Sequence, residues 1–256
     1  MRGAPPHAMC CFSRSVEFVS DTQIFARMLG GGRQVLVYSM SVGAPEALAM
    51  ILPIPVLQPA ADDAVKFIDL SGYSRFFVDL ASVFLRPPSP KLPAAALADS
   101  RSRLKVEKVG SFEASFVPAI KDFSRLDPRF RLPEGVWEKL GAYRDYGFAV
   151  FRLAQGKAKI HPMAFSFPTS RPGELFFPTV HIHDGTVHPR ADFDHVLYCQ
   201  APPGLRSLLE WGESPDPAAH FARIGAAKNV LDGAQHVRRR LLAGPLPNQD
   251  TWLRVT

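Results

Sequence analysis

Twenty-four prolines in 256 residues set the first limit on what this chain can fold into. Proline removes a backbone donor and fixes φ, so a helix interior holds one only at the cost of a break. Here prolines bound or interrupt short apolar runs, as in ALAMILPIPV (47–56), HPMAFSFPT (161–169) and FFPTV (176–180). Short strands that end abruptly in irregular loops fit this punctuation, and they suit antiparallel packing better than a regular βαβ alternation. The expected fold class is mainly β with flanking helices (α+β), in antiparallel, sandwich-like sheets.

The spacing of apolar residues predicts strands at 34–40, 48–52, 65–70, 104–109, 112–117, 148–153 and 163–167. Phe76, Phe77, Leu80, Val83 and Phe84 recur at helical spacing behind Ser71 or Ser74, which predicts a helix over 74–84. A short helix is expected over 136–143. Asp216 and Pro217 form an N-cap and N1 pair ahead of Phe221, Ile224, Val230, Leu231, Ala234 and Val237, which predicts a terminal helix over 217–240. LRPPSPKLPAAALADSRSR (85–103) reads as an exposed connection between an N-terminal β half (10–84) and a C-terminal one (104–256), the two together forming one domain as the alternative. Residues 33–56 also lie without gaps on residues 146–169, with four identities, so two related halves and chance hairpin grammar both stay open.

No apolar run reaches the ~20 residues of a membrane helix, and the first residues carry no apolar signal core. A cytoplasmic location is the expectation. The net charge of +6 permits an acidic partner, but only HVRRR (236–240) is a compact basic run, and no nucleic-acid-binding motif accompanies it. Three cysteines cannot build a disulfide framework, so reduced thiols are expected.

One segment carries sharper chemistry. In FFPTVHIHDGTVHPR (176–190), Asp184-Gly185 is a strong type I′ turn signal. In that register His181 faces His188, and His181, His183 and His188 share one face while Ile182 and Val187 share the other. Three imidazoles on one face form a platform for a divalent transition metal, zinc first, with copper, iron or nickel as alternatives. With water in an open position, such a site supports a metal-dependent hydrolase or hydratase acting on a small molecule. His161, His195, Cys199, Cys10 and Cys11 are further candidate ligands, and Glu113 and Glu134 are remote candidates for a general base. The competing reading takes the histidines as solvent-facing or hydrogen-bonded hairpin residues.

Met9-Cys10-Cys11 raises a second possibility. A start at Met9 followed by its removal would expose Cys10 as an N-terminal nucleophile of the amidohydrolase type, its α-amine serving as base. A third reading is a non-enzymatic interaction protein using the basic terminal helix for a partner. No GxGxxG, P-loop, HExxH, GxSxG or CxxC motif is present.

CCFSRSVEFVSDTQIFAR, the strand QVLVYSM, the A-x-x-x-P-x-P run of LAMILPIPV, HPMAFSFPT and FFPTVHIHDG together resemble an uncharacterised family of bacterial β-rich proteins. The resemblance implies a β-rich fold. It brings no activity and no catalytic residues, and that family's usual signal sequence has no counterpart here.

Overall fold

The computed structural model describes residues 10–84, 112–126, 128, 131, 141–182 and 188–256. In chain order its strands are β1 (Cys10–Phe12), β2 (Phe18–Leu29), β3 (Arg33–Ala44), β4 (Leu48–Ile54), β5 (Lys66–Asp69), β6 (Phe112–Val117), β7 (Gly147–Leu153) and β8 (Gly156–Lys159). They continue with β9 (Met163–Pro168), β10 (Glu174–Phe177), β11 (His181–Ile182), β12 (Arg190–Gln200), β13 (Gly212–Pro217), β14 (His236–Pro247) and β15 (Thr251–Arg254). A single α-helix among the described residues, α1 (Phe76–Ser82), falls within the span expected from its apolar spacing. No described helix is long and apolar enough to cross a membrane.

The strands form a mixed sheet in the order β13-β14-β12-β2-β3-β9-β5, with β8 joined to β3, a second sheet in the order β11-β1-β4-β7-β6, and the pair β10-β15. Most pairings are antiparallel; β2 with β12 and β1 with β11 are parallel. Strands from before and after residues 85–111 share both large sheets. β2 and β3 join through Gly30-Gly31-Gly32, and Gly31 and Gly32 adopt φ near +70°, which an L side chain resists.

Alternation along the strands sends one set of side chains inward. Leu36, Tyr38 and Met40 of β3, Met50 and Leu52 of β4, Phe151 of β7 and Phe165 of β9 belong to one apolar cluster drawn from both large sheets. The opposite face of the mixed sheet packs Phe25, Val35 and Val37 against Phe76, Phe77 and Leu80 of α1. Prolines sit where a missing N–H costs little. Pro53 lies beyond the stretch of β4 that β1 covers, and Pro245 and Pro247 lie beyond the β13 contact on β14, where they blunt an open sheet edge.

Gly147 has no room for a side chain: an added Cβ would stand 2.7 Å from both Phe116 and Val56. Gly147→Ala should therefore destabilise the fold by about 1–3 kcal/mol through overpacking, read as a lower denaturation midpoint at unchanged slope. An unchanged midpoint would show that β6 and β7 adjust freely.

The terminal helix over 217–240 is corrected. Its apolar residues Phe221, Ile224, Val230 and Leu231 do pack on α1's side of the mixed sheet, but from two 3-10 turns (Ala218–His220 and Ile224–Ala227), and the chain then turns through left-handed Lys228 and Asn229. The basic run belongs to β14. There Arg238 pairs with Glu213 at 2.9 Å, Arg240 with Glu210 at 2.9 Å, and Arg239 lies 4.7 Å from the Phe84 ring centroid. The strand expected at 104–109 and most of the helix expected at 136–143 fall outside the described residues.

Candidate functional site

The site grows from three residues in the turn between β14 and β15. Asn248 acts as a strand partner for β11: the His181 N–H donates to its Oδ1 at 2.7 Å, and its Nδ2 donates to the His181 carbonyl at 2.9 Å. The same Nδ2 donates to the His188 carbonyl at 3.0 Å, so one amide joins both flanks of segment 183–187. Gln249 accepts through its carbonyl from the Thr179 hydroxyl. Asp250 accepts from the N–H groups of Thr179 (2.9 Å) and Val180 (3.1 Å) on Oδ1, and from the Tyr143 hydroxyl (2.8 Å) on Oδ2. Burial lifts its carboxyl to about 6 although all three donors favour the ionised form.

Held in this way, His181 is 1 % exposed and turns its ring toward β12. Its centroid lies 4.3 Å from Phe193 and 5.1 Å from His195, edge to face with the latter. His195 is 0 % exposed, and neither ring nitrogen has a hydrogen-bond partner among the described residues. His195 and Thr22 immediately precede the paired residues Val196 and Gln23, and the Thr22 hydroxyl is likewise buried without a partner. The polar atoms of His195 and Thr22 are thus buried without a hydrogen-bond partner among the described residues.

Burial, reinforced by the adjacent His181, holds the His195 imidazole well below its ordinary pKa. A lowered folded pKa means the unfolded chain binds the extra proton first, so this residue's contribution is intact above about 6.5 and is lost as pH falls below that value. An orphaned buried polar group also costs about 1–3 kcal/mol. His195→Leu should leave the fold at pH 7 at least as stable and flatten the acid limb of its stability profile. Steeper acid loss in the variant, measured by denaturation from pH 7 to 5, would contradict this.

The expected three-histidine platform is corrected. β11 pairs with β1, in the register Cys10↔His181 and Cys11↔Ile182. His181 is buried whereas His188 is exposed, and His183 with Asp184-Gly185 lies outside the described residues. His161 stands elsewhere, half-buried, with its Nδ1 3.2 Å from the Pro162 carbonyl. Among the described residues no three His, Cys, Asp or Glu side chains gather where they could hold one metal ion. The zinc-site reading, and the metal-dependent hydrolase built on it, are overturned.

Cys199 is a fully buried free thiol whose pKa burial pushes far up, which makes it a packing residue. Cys10 and Cys11 lie in β1, whose backbone runs between β11 and β4. Glu113 is ion-paired with Arg152 on the surface, and Glu134 lies outside the described residues. Sequence reasoning missed Asn248, Asp250, Phe193 and Thr22; an Asn-Gln-Asp turn between strands signals a turn and no more.

The fold first defines a class: large β-rich proteins that pair a mixed sheet with a smaller one. Solved structures of baculovirus P35 are among those that share it. The crystal structure of baculovirus P35 aligns with a TM-score of 0.53 at 14 % identity, covering 93 % of this chain and 96 % of that one. A mutated baculovirus P35 after caspase cleavage aligns at 0.52 and 14 %, covering 93 % and 100 %. The caspase-8/P35 complex aligns at 0.46 and 12 %, covering 92 % and 96 %. At these identities the likeness is one of fold. No protein-family model and no curated protein matches the sequence. The small-molecule substrate expected from the histidine platform is corrected in turn, because among the described residues no group of metal ligands is gathered to act on one.

Proposed function

We propose that this chain is a non-enzymatic interaction protein whose partner is a caspase-type protease, which cuts it and stays bound to it. The observation that carries the reading is the fold shared across 93 % of the chain with a P35 structure obtained after caspase cleavage. A caspase uses a cysteine nucleophile against the bond following an aspartate, and the connection 85–103 contains one aspartate, Asp99, in Ala-Leu-Ala-Asp-Ser. A role based on contact is supported by polar side chains that fasten backbone segments: buried Gln34 to Phe176, buried Gln200 to Asp232, and half-buried Asn248 to His181. On the same reading the two large sheets are the layers of a sandwich, with their shared apolar cluster between them.

Size-exclusion chromatography of the full chain mixed with active caspase-8 tests it. The expected result is co-elution of chain and protease, abolished by prior alkylation of the protease cysteine and by Asp99→Ala. Separate elution under all conditions would overturn the reading.

A further inference from the structure

β11 is thinly held. It is two residues long, stands at the end of its sheet, and has β1 on one edge and the Asn248 amide on the other. β12 by contrast is paired along both edges, with β14 and with β2. Alternation along β12 buries Phe193, His195, Leu197 and Cys199 on one side, and Leu197 and Cys199 belong to the apolar cluster drawn from both large sheets, so His195 points between the sheets. The His181 ring of β11 lies over it, 5.1 Å between centroids, and also meets Phe193 at 4.3 Å.

The elements around His195 offer no counter-charge. From β11 comes His181, a second imidazole. On β14 the register partner is Leu242, and Arg240, two residues away, is ion-paired with Glu210. On β2 the neighbour is the Thr22 hydroxyl, while the Asp21 N–H donates to Asp194 on the exposed side, where Asp192 and Asp194 take the alternate positions of β12. On β1 the register sets Cys10 beside His181. Asp250 is occupied by Thr179, Val180 and Tyr143. Neither His195 nitrogen has a partner among the described residues, and a buried charge left unpaired is driven toward water.

We propose that β11 is an acid-operated latch: a proton on His195 displaces the His181 ring, parts β11 from β1 and opens the β1 edge of the smaller sheet. Burial and the neighbouring His181 hold the His195 imidazole well below its ordinary pKa. The closed state therefore excludes a proton that the open state accepts, and opening grows as pH falls below about 6.5. Asp250 acts with the opposite sign, since its carboxyl, lifted to about 6, holds a proton more tightly in the closed state. An uncovered strand edge is a template for another strand, so the latch sets the pH at which this edge becomes available. It does not depend on the caspase reading.

Native-state amide exchange of the full chain at pH 7 and pH 5, corrected for the intrinsic rate, tests the proposal in the wild type, His195→Leu and His195→Gln. Asp250 is common to all three and cancels in the comparison. At pH 5 the wild-type amides of His181 and Ile182 should exchange at least about tenfold faster than those of Leu36 and Val37 in β3, the mark of a local opening. Their opening constant, relative to either variant, should rise by up to about 25-fold from pH 7 to pH 5. The glutamine variant keeps a polar side chain without a titrating ring, which guards against repacking around leucine. A ratio that does not change with pH, or β11 amides protected as strongly as those of β3 at pH 5, would overturn the proposal.

Discussion

Phe151→Ala should cost about 3–5 kcal/mol of folding stability, about a fifth or more of what a domain of ordinary stability possesses. Phe151 is 0 % exposed and its ring contacts join the two large sheets. Phe67 of β5 meets it edge-on at 5.7 Å and Phe165 of β9 lies 5.8 Å away, so β7 of one sheet touches two strands of the other through a single side chain. Removing the ring deletes apolar burial and leaves a hole that Phe67 and Phe165, pinned by their own strands, cannot fill by small shifts. Chemical denaturation measures the loss. A cost below about 1 kcal/mol would mean that the sheets do not pack as described.

Asp250→Ala should destabilise by about 2–3 kcal/mol, because the N–H groups of Thr179 and Val180 and the Tyr143 hydroxyl all lose their acceptor. Asp250→Asn should behave differently. Its carbonyl keeps the two backbone donors while its amide donates to the tyrosine oxygen, and the buried charge is gone. The sign with pH follows from a folded pKa of about 6 against the ordinary 3.8. The folded state holds the proton more tightly, so this group's contribution is greatest at low pH and is lost as pH rises from about 4 to 6. Stability of the wild-type relative to Asp250→Asn should accordingly fall over that interval and level off above it. A difference independent of pH would show that the carboxyl is not buried as described.

Much of the framework is legible in local pattern. Phe112–Val117 and Met163–Pro168 announce themselves as alternating strands bounded by proline, and α1 carries its apolar stripe openly. The segment 217–240 misleads because an N-cap pair and apolar residues three or four apart fit a helix, while the real packing uses single turns broken at Lys228 and Asn229. The histidine hairpin misleads for a different reason. Asp184-Gly185 speaks for local pairing, whereas the described strand partner of His181 and Ile182 is β1, some 170 residues earlier in the chain. Such a partner leaves no trace in local periodicity. Asn248 is equally hidden, since its three hydrogen bonds to His181 and His188 span 60 and 67 residues. The strand of Cys10 and the pair of His181 with His195 were therefore visible as residues and invisible as a site.

The central claim is that this chain is a protein partner of a caspase-type protease, and intact-mass spectrometry after incubation with active caspase-8 tests it most directly. The account predicts two pieces meeting at the Asp99–Ser100 bond, 1–99 and 100–256, formed in proportion to the protease added. A chain that keeps its full mass while the same protease turns over a peptide substrate would contradict it.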